Sequence, residues 1–500
     1  MVFNSVLGLA VQIVTTAILA RILAPSDFGL VAMVTAFSLL LLNFGLNGFT
    51  EAVVQWEEVN HALASNLFWI NVSAGALLTL GFAASGSLMA RLYHNPLVTK
   101  VAIAISLTIF FMSLSVLHLA LLKRAMRFSL FSANEMFSRI SSLAVTILLA
   151  WKGWGYWSLV VGVVSQALIT CVGAWSLCRW VPGLPRRVPG TASIVKFAMH
   201  VYARFSVNYF TGNVDNVLVG WCFEAQSLGF YKKAFDLFAL PAGVLVSSLT
   251  VVAVSALSKL QKDAIQYKRY LLGALAVTAF VGMGLSGDLT LVGNDLICLL
   301  LGSKWGPAGR IFTFFGPGIG LMILYGTNGW IHLSIGRADR WFRWGFVEFF
   351  VTCLLFIVGL HWGPVGMAMA WTASFWILTI PALWYAGKPI NLDIASVIGT
   401  VWKYILASAL AGCSSALILR IGSLLGAGTS AMDAAIRIVK TSVLFVILYL
   451  GAIILLYRGC APLYQVGRLL REMLPLERFR KPSPMAPGPS GADTSEPVAP

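Results

Sequence analysis

Charge is scarce in this chain. Only 11% of its 500 residues are charged while 58% are hydrophobic, and a mean hydropathy of +0.84 excludes a water-soluble domain. Seven cysteines are scattered without a CxxC pair or neighbouring histidines, which excludes a zinc centre and a disulfide framework. Cys171 and Cys178 would share a helix face, where burial as small apolar side chains accounts for them. No GxxxxGK[ST] stretch, no HExxH and no histidine cluster occurs. Direct ATP hydrolysis, a metal site and a bound cofactor are therefore not expected. The net charge of +16 has no basic block with interleaved aromatics behind it, so nucleic acid is not an expected partner.

What the chain does have is a series of apolar runs of about twenty residues recurring as far as position 458, the length that crosses a bilayer as a helix. The expected fold is an all-α polytopic membrane protein of about fourteen transmembrane helices. The spans fall near 2–23, 29–54, 63–88, 98–122, 133–151, 155–178, 197–221, 228–257, 271–298, 308–335, 341–361, 364–386, 401–424 and 436–457. HWGP at 361–364 reads as a tight hairpin between two of them. The first span has no basic stretch before it and carries Arg21 at its far end, which argues against a signal peptide. With an even number of spans and the N-terminus in the cytoplasm, the C-terminus lies there too. The connections this places inside hold 23 of the 35 lysines and arginines, and the outer ones and their span ends hold nine. That bias fits the positive-inside rule. The first inner loop, with Glu51, Glu57 and Glu58, departs from it.

After the last span the sequence divides in two. Within the basic segment 459–481, LYQVGRLLREM places Leu463, Val466, Leu469, Leu470 and Met473 at helical spacing beside Arg468 and Arg471. Such a helix suits the anionic inner leaflet, and a solvated helix stub accounts for the pattern equally well. The tail 482–500, rich in Pro, Gly and Ser, has too little apolar surface to fold and reads as disordered.

An internal repeat organises the rest. LARILAPSDFGL at 19–30 and VGWCFEAQSLGF at 219–230 align with a shift of 200, matching Leu23 with Phe223, Phe28 with Leu228, Gly29 with Gly229 and Leu30 with Phe230. Six spans precede the long connection RWVPGLPRRVPGTASIVK and six follow it before a final pair. The expected plan is a six-helix bundle at 1–180, a cytoplasmic linker at 181–196, a second six-helix bundle at 197–388 and an extra helix pair at 389–458. Two repeats of this kind are a common transporter arrangement with the substrate between them.

The second copy carries charges the first does not. On the seventh span Arg204, Asn208, Thr211 and Asp215 are spaced to form one polar stripe, opposite Asn4, Gly8, Val11 and Thr15 in the first copy. Lys232, Lys233 and Asp236 on the eighth span match Ala32, Met33 and Ala36. Ionisable groups at membrane depth cost about 2.5 to 3.5 kcal/mol each at a helix centre and are usually functional. Two readings stand for the helix-eight charges. Lys232 and Lys233 can snorkel to the boundary, and Asp236 can serve as a structural partner for Lys232 one turn away. Arg204 lies deeper, about 12 Å from the inner end at helical rise, which makes snorkelling harder. Glu348 in the eleventh span is a weaker candidate on the same grounds.

ARILAPSDFGLVAM, DNVLVGWCFEAQSLGFYKKAFDLFALP, LLGSKWGPAGRIF and the GRAD run at 336–339 together resemble the polysaccharide transporter (Wzx-type flippase) branch of the multidrug, oligosaccharidyl-lipid and polysaccharide (MOP) exporter superfamily. The resemblance covers residues 1–458 and is most specific over 215–241. It implies fourteen helices in two bundles, alternating access, the bacterial inner membrane, and a substrate built of an oligosaccharide on undecaprenyl pyrophosphate. It also implies work beside a polysaccharide polymerase and other assembly proteins. Members usually carry a short basic stretch before the first helix, absent here, so the start is expected to lie upstream.

A pyrophosphate-linked sugar is anionic and hydroxylated, so its passage needs cationic donors and polar side chains at midplane depth. Arg204 suits phosphate oxygens, and Asn208, Thr211 and Asn216 suit sugar hydroxyls. Asp215 can hold Arg204 or a lysine in the empty site. Lys232 and Lys233, with Asp236, stand near the outer mouth, and Arg21 is a weaker candidate there. Two other classes stay open. A multidrug or cation antiporter of the same superfamily is opposed by the basic bias of the central charges. A membrane polymerase or ligase is opposed by the thin outer loop 287–307, with only Asp288, Asp295 and Lys304.

Overall fold

The computed structural model describes residues 2–56, 59–186, 188–421, 431–460, 463, 464 and 467. At 2–11, 45–47, 204, 207, 208, 211, 241, 244, 245, 248 and 251 it describes the helix but not the side chain. The basic segment 459–481 falls almost wholly, and the tail 482–500 wholly, outside the described residues.

A chain segment in hydrocarbon must satisfy every backbone N–H and C=O within itself or a closed barrel, so long apolar runs become helices. The described residues contain sixteen α-helices and no strand. These are α1 (Val2–Ile22), α2 (Pro25–Asn43), α3 (Thr50–Gln55), α4 (His61–Leu92), α5 (Leu97–Arg124), α6 (Phe128–Trp151), α7 (Tyr156–Cys178) and α8 (Thr191–Thr211). They continue with α9 (Val214–Cys222), α10 (Ala225–Lys259), α11 (Ala264–Leu301), α12 (Gly306–Ser334), α13 (Ala338–Gly359), α14 (Gly363–Gly387), α15 (Ile394–Ile421) and α16 (Ala431–Tyr457). Among the described residues, nine helical segments are long and apolar enough by length and composition to cross a membrane. The chain is an all-α polytopic membrane protein.

Local chemistry fixes many of the ends. Asn60 and Asp263 cap α4 and α11 by accepting backbone N–H bonds through their side chains, Asn60 from Leu63 at 2.8 Å and Asp263 from Gln266 at 3.0 Å. At 360–363 a short 3₁₀ turn and Gly363, with φ of 66°, make the hairpin that HWGP announces.

Two expected spans are not regular. The second passes through a π-helical segment, Phe44–Phe49, between α2 and α3. There a Cβ on Gly48 would stand 2.9 Å from the Ala198 carbonyl oxygen, so the α8 backbone approaches closely. The seventh is broken between α8 and α9 at Gly212 and Asn213, the latter with φ of −134° and its side-chain amide turned back onto the Tyr209 carbonyl at 3.0 Å. Asn offers the backbone a local alternative to the helix ladder, which is why the single stripe read from Arg204 to Asp215 is interrupted before Asp215.

Packing falls into two groups. α2, α4, α5, α6 and α7 pack on one another, and α10, α11, α12, α13 and α14 do likewise, with α15 and α16 laid on α11. The groups meet where α2 crosses α10 and where α8 crosses the π segment. The connection before α8 is bolted down: Asn66 exchanges side-chain hydrogen bonds with both backbone groups of Arg186. Trp69 donates to the Gly183 carbonyl at 2.9 Å.

Candidate functional site

Asp215 opens the first turn of α9 and is only 3% exposed. A buried carboxylate must be fully hydrogen-bonded, and here Tyr231 of α10 donates its hydroxyl to Oδ2 at 2.8 Å. The Asn216 backbone N–H donates to Oδ1 at 2.8 Å and its side-chain amide to the same oxygen at 3.2 Å. Asn216 is equally buried, and its own Oδ1 has no partner among the described residues.

One turn along α10, Lys232 pairs with Asp236 at 2.7 Å, as the i,i+4 spacing predicts. Lys233 lies 3.9 Å from the other Asp236 oxygen. Its ammonium also rests 4.5 Å from the centre of the Phe28 ring, so a cation of the second copy reaches the first copy's turn. The side chains of Arg204, Asn208 and Thr211 lie outside those described, and only their helix α8 is placed.

The structure brings Glu348 into this neighbourhood. Asp215 and Glu348 both line a 320 Å3 cavity among α9, α12, α13 and α14. Tyr325, which lines the cavity with Glu348, accepts from Trp344 Nε1 at 2.8 Å. Asn328, also lining the cavity, has an unpartnered side-chain oxygen. Two carboxylates make this an acidic chamber walled by aromatic rings.

The two matched turns meet directly. A Cβ on Gly29 would fall 1.6 Å from the Ala225 carbonyl oxygen, and one on Gly229 would fall 1.9 Å from that of Pro25. Pro25 and Ala225, like Gly29 and Gly229, are 200 residues apart, so the contact is reciprocal about a local two-fold axis. Trp305, fully buried, wedges against both turns, with ring centres 5.6 Å from Phe28 and 5.8 Å from Phe230.

Arg21 takes part in the same closure rather than pointing at a cavity. It donates to the Leu299 carbonyl at 2.8 Å at the end of α11, while Lys304 donates to the Arg21 and Leu23 carbonyls at 3.0 and 2.7 Å at the end of α1. The Trp305 indole donates to the Ala20 carbonyl at 2.9 Å. Each helix thus has its orphan C-terminal carbonyls capped by a cation from the other, an arrangement the helix dipole favours.

Tyr231, Tyr325, Trp344, Lys304 and Trp305 had no site role in the sequence reading. Tyr231 and the SKW run sit inside the most family-like stretches, which was the available signal. Nothing in the sequence pairs Tyr325 or Trp344 with Glu348.

A family model described as polysaccharide biosynthesis protein matches residues 18–309. The succinoglycan biosynthesis transport protein ExoT of Rhizobium meliloti is 22% identical over 94% of this chain and 93% of its own length. The teichuronic acid biosynthesis protein TuaB of Bacillus subtilis is 23% identical over 87% of this chain and 89% of its own. Among solved structures, the lipid II flippase MurJ in an inward closed conformation superposes with a TM-score of 0.72 at 16% identity. That match covers 91% of this chain and 97% of MurJ and shows a shared fold. The chain belongs to the polysaccharide biosynthesis protein family, in the polysaccharide transporter branch of the MOP exporter superfamily.

Proposed function

We propose that this protein is a flippase that moves an oligosaccharide repeat unit, linked to undecaprenyl pyrophosphate, across the bacterial inner membrane for exopolysaccharide or O-antigen synthesis. One observation carries the reading. The charges peculiar to the second copy, Lys232, Lys233 and Asp236, lie on α10 beside its contact with α2, and Lys233 rests on Phe28 of the first copy. In this reading these charges bind substrate at the contact that alternating access opens and closes. The relatives' names and the family support the class of cargo.

In this reading fourteen helices form two six-helix bundles, 1–180 and 197–388, with the pair 389–458 appended and both termini in the cytoplasm. Arg204, Lys232 and Lys233 receive the pyrophosphate, and Asn208, Thr211 and Asn216 the sugar. Asp215, Asp236 and Glu348 are the groups able to carry a coupling proton. Energy comes from the membrane potential, an ion gradient or consumption of the product outside. Deleting the gene should leave lipid-linked repeat units on the inner leaflet and remove the surface polysaccharide. Normal polysaccharide without accumulation, in a strain holding no second flippase, overturns the proposal. Arg204→Ala should abolish export at unchanged protein level.

The acidic chamber of Asp215 and Glu348 favours a second reading, a multidrug or cation antiporter. It predicts that the deletion strain becomes sensitive to cationic dyes while its polysaccharide is intact.

A further inference from the structure

The first copy has a chamber of its own. A 440 Å3 cavity opens among α2, α3, α5, α6 and α7, and its lining includes none of Asp215, Lys232, Lys233 and Asp236. Its volume lies in the range of small-ligand sites. The walls combine apolar patches from Met112, Leu119 and Ala167 with amides and hydroxyls. Thr50 is a lining residue, 2% exposed, whose hydroxyl has no hydrogen-bond partner among the described residues. Asn134, 4% exposed, spans from α6 to the Thr170 carbonyl on α7 at 3.2 Å and holds that wall in place. Gln166 and Thr170 bring further donors and acceptors to the same wall.

The charges at this cavity are the wrong ones for a phosphate. Among the lining residues Glu51 and Glu135 outnumber the one cation, Lys123, which lies 4.7 Å over the Phe131 ring, and Glu135 pairs at 2.7 Å with Arg139, itself not a lining residue. The lining therefore offers an anion no surplus of positive charge. A group with many hydroxyls and apolar C–H faces matches the lining: amides bond the hydroxyls, and Met112, Leu119 and Phe131 meet the ring faces. We infer that this first-copy cavity is a subsite for one uncharged sugar of the lipid-linked oligosaccharide, separate from the cationic groups that receive its pyrophosphate. The inference rests on the flippase reading and adds where the glycan is recognised.

The test uses the purified full-length protein and two probes, undecaprenyl pyrophosphate and the lipid-linked oligosaccharide extracted from a strain lacking this gene. Wild type should bind the glycan-bearing lipid more tightly than the bare pyrophosphate. The pair Gln166→Ala with Thr170→Val should reduce that advantage about tenfold for two lost hydrogen bonds, and leave affinity for bare undecaprenyl pyrophosphate unchanged. The unchanged affinity also shows that the variant folds. Thr170→Val alone, nearly isosteric, should remove part of the advantage should the pair fail to fold. Equal affinity of wild type for the two lipids overturns the inference, as does a variant that keeps the full glycan advantage. Failure of wild type to bind either lipid overturns the flippase reading and this inference with it, a result distinguishable from the others.

Discussion

Gly29 and Gly229 stand face to face where α2 crosses α10, each at a point where its own Cβ would strike the backbone of the other helix, at 1.6 and 1.9 Å. Backbone cannot swing aside as a flexible side chain can, so even alanine forces the helices apart. Gly29→Ala and Gly229→Ala should each destabilise the protein by about 1–3 kcal/mol or more. Gly81→Ala, where a Cβ meets nothing within 4 Å, should not. Thermal unfolding in detergent compares the three, and equal midpoints would show that the crossing is looser than this.

The wedge at the same end gives a second expectation. Trp305→Phe keeps most of the ring packing against Phe28 and Phe230 but loses the indole bond to the Ala20 carbonyl. The loss is about 1 kcal/mol. Trp305→Ala empties a fully buried site at about 3–5 kcal/mol. If the wedge holds these turns shut, an Ala24→Cys reporter should react faster with a membrane-impermeant maleimide in the Trp305→Ala background. Unchanged labelling would assign Trp305 to packing alone.

Among the described residues, Asp215 is held by the Tyr231 hydroxyl and by Asn216. Tyr231→Phe leaves a buried carboxylate short of a donor and should cost about 1–3 kcal/mol. Once Asp215→Asn has removed the charge, the same change should cost less. The double-mutant cycle is therefore non-additive. Additive losses would mean that the hydroxyl and the carboxylate do not interact.

Arg437 of α16 makes a two-pronged pair with Asp295 of α11, at 3.0 and 3.2 Å. With side chains 19% and 29% exposed, the pair should contribute about 1 kcal/mol. Arg437→Asp and Asp295→Arg should each lower the detergent unfolding midpoint, and the two together should restore part of it. No recovery in the double variant would show that other contacts hold α16 on α11.

Some of this site was readable in the residues. The 200-residue shift matched Gly29 with Gly229, and a glycine is what two crossing backbones need. Lys232 and Asp236 were legible as a pair because helical spacing alone brings them together, at 2.7 Å. Arg21 was placed at a helix end correctly, but its partners on α11 are some 280 residues away and left no trace in its own surroundings. The expected polar stripe stops at Gly212 and Asn213, because a local side-chain bond from Asn213 competes with helix continuation and hydropathy does not register it.

Local sequence features were enough to read the chain as a stack of apolar helices with a repeat whose second copy carries ionisable groups inside its apolar runs. Each follows from a local quantity: hydropathy over about twenty residues, a repeat, and ionisable groups inside apolar runs. It took the folded arrangement to show that Asp215 meets Tyr231, that Glu348 shares its chamber, that Trp305 wedges two turns, and that the first copy encloses a cavity of mixed polar and apolar lining. In a bilayer the face that meets lipid and the face that meets protein are both apolar. No hydrophobic stripe then reports how each helix is rotated, and rotation decides which side chains touch.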